Sequence, residues 1–172
     1  MTAVERLRST LAALSLTAID ARMETLLENA GKQAPAYADF LLEVVSAEAD
    51  ARRRRYLKTR LQLAHLPYVK SFDQFDFGFQ PSIDERQIRE LRTLRFVHEA
   101  SNVILLGPPG VGKTHLAVAL AEAAIQAGQA AYFMTAHDRI ADLGRPYRDG
   151  RWDSRVRIHF APKLSVIEWV GA

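Results

Sequence analysis

The sequence predicts an α/β protein in which a glycine-rich loop joins a parallel sheet to its helices, preceded by a small all-helical domain. Three observations carry this prediction. Residues 105–114, LLGPPGVGKT, match the phosphate-loop pattern G-x-x-x-x-G-K-[ST]. After this loop, short apolar runs alternate with helical patterns, which is typical of a parallel sheet covered by helices. Before residue 67, the apolar residues recur at helical spacing.

Composition and charge exclude several classes of protein. The 172 residues are 48% hydrophobic and 25% charged, as in globular domains. The absence of cysteine excludes disulfides and thiolate metal sites, and the five histidines show no metal-ligand spacing. No apolar run approaches the roughly 18 residues of a membrane span, and the charged start is unlike a signal peptide. We therefore expect a cytoplasmic protein without a membrane partner.

The first expected domain covers residues 1–66 and is helical throughout. Within it, Thr17 with Asp20 predicts a capped start of the second helix. Pro35 suits the first turn of the helix that follows. We expect a small helical bundle that binds DNA or a partner protein.

The last helix of this domain carries a basic run that has two interpretations. Six basic residues between positions 52 and 60 fan around most of the helix circumference. They either pair with Glu43, Glu48 and Asp50 on a solvated helix, or they contact a phosphate backbone. Next to a nucleotide-driven domain we favour DNA, with a salt-dependent affinity. The candidate DNA-binding residues are Arg52, Arg53, Arg54, Arg55, Lys58 and Arg60.

A linker, residues 67–82, is rich in aromatic side chains. Phe75, Phe77 and Phe79 alternate at period two and share a face if the segment is extended. The favoured interpretation is a linker that covers the edge of a core with its aromatic rings. The alternative is that part of it packs near a nucleotide base, which needs an apolar wall.

The third expected domain, residues 83–172, contains the alternating elements. Ser82 to Glu85, SIDE, is a capping box that opens a helix with Ile88, Leu91, Leu94 and Val97 inward. Asn102 to Leu106, NVILL, predicts a short buried strand that leads into the glycine-rich loop.

The remaining elements follow the loop. KTHLAVALAEAAIQAG predicts a helix ended by Gly128, and AAYFMT predicts a second strand. Thr135 with Asp138 predicts the cap of another helix, through about Leu143. Leu164 to Glu168, LSVIE, predicts a third strand.

The glycine-rich loop predicts a triphosphate site. Glycines allow successive backbone N–H groups to point inward and form an anion-binding nest. Lys113 supplies a mobile charge for the β- and γ-phosphates, and Thr114 supplies a hydroxyl for Mg²⁺. The candidate ATP-binding residues are Gly107, Pro108, Pro109, Gly110, Val111, Gly112, Lys113, Thr114 and His115.

Nearly the whole chain resembles one family. The FDQFDFGFQPSID linker, GPPGVGKTHLAVAL and the TAHD and DLGR stretches are similar to those of IstB-like ATPases, helper proteins of insertion-sequence transposition. These are AAA+ proteins related to the helicase loader DnaC. The resemblance implies an AAA+-type sheet, ATP and Mg²⁺ as cofactors, homo-oligomers in full-length relatives, and DNA and the transposase of the same element as partners.

The end of the chain departs from this family pattern. The family's third strand ends in Asp-Glu, where this chain has Glu168 and Trp169. By this resemblance Glu168 with Thr114 holds Mg²⁺, whereas Trp169 stands in place of the catalytic Glu and offers no base. The family's sensors, arginine finger, helical lid and the two strands that flank the loop strand would all lie beyond Ala172. We therefore expect an incomplete sheet in a truncated copy with impaired hydrolysis and no assignable catalytic residue.

Three functional hypotheses follow. The first is an ATP-binding helper of transposition that turns ATP over poorly. The second is a non-catalytic DNA- or partner-binding module built on the helical domain. The third is a DnaC-like helicase loader.

Overall fold

The computed structural model describes residues 2–81, 83–148 and 161–169, with the backbone alone described over 143–148. The chain forms two compact units, Met1–Tyr56 and Leu57–Ala172. This boundary falls inside one continuous helix, ten residues before the end of the helical domain expected at residue 66. The three-part division from the sequence remains a prediction.

Three helices contribute to the first unit. They are α1 (Ala3–Ala13), α2 (Thr17–Gln33) and the first part of α3 (Tyr37–Leu63). A capping box begins α1: the Glu5 amide donates to the Thr2 hydroxyl over 3.2 Å, and the Thr2 amide donates to the Glu5 carboxylate over 2.7 Å. Leu11, Ile19 and Met23 form the core of this unit.

The start of α2 is capped from another helix, which corrects the prediction from Thr17 and Asp20. The residue before α2, Leu16, has no capping side chain. Instead the Glu48 carboxylate of α3 accepts from the amides of Ala18 (2.8 Å) and Ile19 (3.4 Å). A carboxylate at this end also complements the positive end of the helix dipole. The local pattern failed because the capping group lies thirty residues away.

The second unit combines helices with a two-stranded parallel sheet. Its helices after the end of α3 are α4 (Glu85–Arg92), α5 (Arg95–His98), α6 (Lys113–Gln126) and α7 (Ala136–Arg148), with a 3₁₀ turn at Phe72–Gln74. Its strands are β1 (Ala131–Thr135) and β2 (Leu164–Glu168). They pair in parallel from Ala131 opposite Leu164 to Thr135 opposite Glu168. The predicted α/β class, with helices between parallel strands, is confirmed.

The core of the second unit is built on α6. One side of this helix places Leu116, Ala119 and Leu120 against Phe72 and Ile88. The other side places Ala121 and Ile125 against Ala64 and Ala131. The Phe133 amide of β1 donates to the Ala64 carbonyl over 2.8 Å, which satisfies part of that strand's outer edge. Because α6 is packed on both sides, its first turn, which follows the glycine-rich loop, is held in place.

Residues 102–106 are not the buried strand that the sequence predicts. Within the described ranges, the one ladder is β1 with β2, and this segment takes no part in it. Ile104 and Leu106 are 76% and 87% exposed. Leu105 alone packs against the core. The prediction was wrong because no strand among the described residues lies beside these apolar side chains to cover them.

Two predicted helix caps had different outcomes. Thr135 does cap α7, since the Asp138 amide donates to its hydroxyl over 3.0 Å. Ser82 lies outside the described residues, and α4 begins after Asp84, whose carboxylate accepts from the Arg86 amide over 2.8 Å. The helix ends at Arg92 rather than continuing to Val97, because Leu94 adopts a left-handed conformation with φ of 59°.

Candidate nucleotide site

The glycine-rich loop has the backbone shape that its glycines permit. Gly110 and Gly112 lie in the left-handed region, with φ of 83° and 89°. At Gly112 a Cβ atom would lie 2.6 Å from Cε2 of Phe75, so the close approach of this ring also requires glycine. The loop between Gly107 and Gly112 therefore depends on glycine for both conformation and packing.

Lys113 lies folded back into this loop. Its Nζ donates to the carbonyl oxygens of Gly107 (2.8 Å) and Pro108 (2.7 Å). Lys113 is also the first residue of α6, whose first internal hydrogen bond joins the Leu116 amide to the Gly112 carbonyl. The ammonium group and the positive end of a helix thus meet at the same loop, an arrangement suited to anionic oxygens.

The end of β2 reaches the first turn of α6. The Thr114 hydroxyl donates to the Glu168 carboxylate, and both residues are half-buried. These two residues are 54 positions apart in the sequence, and they are the pair predicted to hold Mg²⁺. Trp169 follows at the strand end with its side chain 78% exposed.

One cavity of about 880 Å³ brings these groups together. Its polar end contains Lys113, Thr114 and Glu168, and Trp169 also lines it. Apolar walls come from the 102–106 segment and from β2. Its size falls within the range of small-molecule sites.

The aromatic linker covers the other side of α6, as the favoured interpretation predicted. Phe72 is buried in the core, and Phe75 and Phe77 pack against it. Phe79 departs from the period-two pattern, being 73% exposed. The linker therefore covers a core edge.

His115 directs its side chain towards this linker. Its Nε2 lies 3.0 Å from the Ser71 carbonyl oxygen, and its ring meets Phe75 edge to face at 5.2 Å. His115 is one of the nine predicted ATP-binding residues, and it uses its side chain to attach the linker to α6. Sequence reasoning did not assign it this contact.

Tyr68, one of the aromatic residues of the linker, lies near the site. Burial of its phenol and the negative charge of Glu168 raise the pKa of Tyr68 above its ordinary value. The linker thus brings an aromatic hydroxyl within electrostatic range of the Glu168 carboxylate. A motif search could not have found this residue, because it lies 45 positions before the lysine of the loop.

The structure divides the six basic residues of α3 between the two interpretations. Arg52 and Arg55 form ion pairs with the buried Glu48, at 3.3 and 3.0 Å. Within the described part of the chain, Arg53, Arg54 and Lys58 form no ion pair, and all three are exposed. The remaining member, Arg60, is half-buried. Pairing with Glu48 thus accounts for two of the six.

The described ranges contain neither a cluster of metal ligands nor a membrane-spanning helix. These residues contain no group of three or more His, Cys, Asp or Glu side chains able to hold a metal ion. None of the described helices has the length and apolarity that crossing a membrane requires.

Comparison with known proteins places these features in a family. The family model of the IstB-like ATP binding protein matches residues 9–172. A protein named for ATP binding in insertion sequence IS5376 of Geobacillus stearothermophilus is 38% identical over 97% of this chain and 66% of its own length. Its counterpart in IS21 of Pseudomonas aeruginosa is 40% identical over 94% of this chain and 61% of its own length. The chain thus spans less than two thirds of the length of these relatives. A third relative, an IS21-like protein of Bacteroides fragilis (strain YCH46), is 34% identical over 77% of the chain and 69% of its own length.

Proposed function

The chain belongs to the family of IstB-like ATP binding proteins, and from this premise we propose that it is an ATP-binding helper of insertion-sequence transposition. The observation that carries the proposal is Lys113 held inside the glycine loop at the start of α6. A triphosphate takes over the role of the two loop carbonyls as the partner of this ammonium group. The backbone amides of the loop supply further donors to its oxygens.

Magnesium accompanies the nucleotide in this proposal. The Thr114 hydroxyl and the Glu168 carboxylate already contact each other, and both are the hard oxygen ligands that Mg²⁺ prefers. When bound, the ion neutralises phosphate charge. Glu168 and Thr114 hold it, while Lys113 orients the phosphates.

Hydrolysis is impaired in this proposal because of Trp169. The indole follows Glu168 directly and lines the same cavity as Lys113. The nitrogen lone pair of indole is delocalised into the aromatic ring and is not basic, so the side chain cannot act as a general base. ATP therefore serves mainly as a bound ligand.

DNA and the transposase of the same element are the proposed partners. Arg53, Arg54 and Lys58 support DNA binding, because they are exposed on α3 and form no ion pair within the described residues. All three relatives named above belong to insertion sequences, which supports a partner from the same element. Assembly of several copies belongs to the same proposal.

Calorimetric titration with ATP and Mg²⁺ tests the nucleotide site. We expect Lys113→Ala to weaken ATP binding by roughly tenfold to a hundredfold, because it removes charge-assisted hydrogen bonds. Lys163→Ala is the matched control, since Lys163 lines the same cavity but is exposed. Equal affinity in the Lys113→Ala variant and the unaltered chain would refute the proposed site.

Turnover tests the proposal about Trp169. We expect phosphate release by the unaltered chain to stay at background at saturating ATP, and Trp169→Glu to leave ATP affinity unchanged. Lys113-dependent turnover by the unaltered chain would show that Trp169 does not impair hydrolysis.

A further inference from the structure

One face of α3 carries a heptad pattern and is exposed along its whole length. Every member of this heptad face is exposed, including Leu42 at 66%, Val45 at 59% and Leu63 at 59%. The spacing alternates between four and three residues. The heptad face consists of Ala38, Leu42, Val45, Ala49, Arg52, Tyr56, Thr59 and Leu63.

This spacing is the one that pairs helices side by side. A repeat of 3.5 residues keeps one seam of a helix facing a partner helix over several turns. The 27 residues of α3 give a helix about 40 Å long, one residue short of four heptads. Other positions pack within the chain, since Ala47 and Ala51 are buried. Among the described residues, no member of the heptad face belongs to a buried core cluster.

The charges of α3 favour a second copy of the same helix in antiparallel orientation. Its first half carries four acidic residues, at positions 39, 43, 48 and 50, and no basic residue. Its second half carries six basic residues between 52 and 60 and no acidic residue. Antiparallel pairing places each acidic half beside a basic half, whereas parallel pairing places the two basic halves side by side.

The side-chain sizes fit the same orientation. With the midpoint between residues 50 and 51, Ala38 of one copy faces Leu63 of the other, and Val45 faces Tyr56. Ala49 then faces Arg52, whose long stem crosses the small side chain while its head stays with Glu48. A parallel pair would instead place two Arg52 side chains in one layer, which is costly. Arg52 thus selects the antiparallel register.

We propose that the heptad face of α3 is a self-association surface that pairs two copies of this chain through antiparallel α3 helices. The pairing needs neither ATP nor DNA. Its failure is therefore distinguishable from failure of the nucleotide site.

Sedimentation of the full chain, without nucleotide or DNA, is the first test. We expect dimers whose dissociation constant rises about tenfold or more in Leu63→Glu, because a carboxylate then replaces an apolar side chain of the heptad face and lies opposite the acidic half of the partner helix. Leu14→Glu is the matched control, since Leu14 is 60% exposed but lies off the face. A monomer at every concentration would overturn the proposal, as would equal effects of the two variants. Loss of DNA binding in Leu63→Glu with unchanged self-association would assign the face to DNA instead.

Cross-linking tests the orientation, and the cysteine-free chain makes it direct. We expect Ala38→Cys and Leu63→Cys chains to form a disulfide with each other when mixed under oxidising conditions, and neither to do so alone. Arg54→Cys, outside the face, controls for random collision. Disulfides between two Ala38→Cys chains would show parallel pairing and overturn the inference.

Discussion

At the scale of single residues, two glycines of the loop have nearly the same φ but different surroundings. Gly110 has open space where a Cβ would lie, whereas Gly112 faces the Phe75 ring at 2.6 Å. An alanine in the left-handed region costs about 1–2 kcal/mol at either position. Gly112→Ala adds overpacking of roughly 1–3 kcal/mol. We therefore expect Gly112→Ala to lower the free energy of unfolding more than Gly110→Ala does, as measured by urea denaturation.

The ring itself provides the control for this prediction. Phe75→Leu removes the ring atoms that meet the new methyl group. The double variant Phe75→Leu/Gly112→Ala should therefore lose less free energy of unfolding than the sum of the losses in the two single variants. Equal losses in Gly110→Ala and Gly112→Ala, with additive effects in the double variant, would mean that Phe75 does not restrict Gly112.

Glu48 gives a second prediction at this scale, concerning pH. Burial raises the pKa of Glu48, but the amides of Ala18 and Ile19 and the guanidinium groups of Arg55 and Arg52 outweigh it and leave that pKa below its ordinary value. A lowered pKa stabilises the fold above the unfolded-state pKa of about 4.3, and this stability is lost as pH falls through the folded-state value. We expect Glu48→Gln to melt at a lower temperature at pH 7 and to lose less stability than the unaltered chain between about pH 5 and 3.

The control for this second prediction is an exposed glutamate. Glu24 is 86% exposed and pairs with Arg8 on the surface, so Glu24→Gln should change melting little at either pH. A Glu48→Gln variant whose melting follows pH as steeply as that of the unaltered chain would show that another carboxylate dominates acid unfolding.

At the scale of elements, the 102–106 segment separates the sequence prediction from the structure. A buried strand would lose several kcal/mol from a charge at Ile104, whereas the 76% exposed side chain should tolerate one. We expect Ile104→Lys to change the free energy of unfolding by less than about 0.5 kcal/mol. Leu116→Ala, at a side chain only 3% exposed, should cost about 2–5 kcal/mol in the same denaturation experiment. A large loss in the free energy of unfolding in Ile104→Lys would mean that Ile104 is buried, as the predicted strand requires.

The elements also show what sequence patterns can predict here. Periodicity located α6, β1 and β2, because each packs its apolar side chains against a partner present in the chain. The same apolar signal failed at residues 102–106, because an apolar run does not reveal whether a neighbouring strand covers it; the family resemblance alone led us to expect an incomplete sheet. The pairing of Thr114 with Glu168 followed from family resemblance, whereas the capping role of Glu48 depends on tertiary structure alone.

At the scale of the whole molecule, the features assigned to nucleotide binding all belong to one of the two compact units. Lys113, Thr114 and Glu168 lie in the unit Leu57–Ala172, whereas α1 and α2 lie in Met1–Tyr56. Binding to a folded site raises the free energy of opening by RT ln(1 + [L]/Kd), about 2.7 kcal/mol at a hundredfold excess over Kd. Hydrogen exchange should therefore slow, when the ligand binds, at amides that exchange only when this unit opens.

Hydrogen exchange measured with and without ATP and Mg²⁺ checks this assignment. We expect up to about a hundredfold slower exchange for amides in residues 105–116 and 164–168, and unchanged exchange in α1 and α2. The difference should vanish in Lys113→Ala, because that variant keeps the fold but loses the charge that holds the phosphates. Equal protection of α1 and α2 would mean that nucleotide binding stabilises both units together, and absence of protection around the loop would remove ATP from the proposed function.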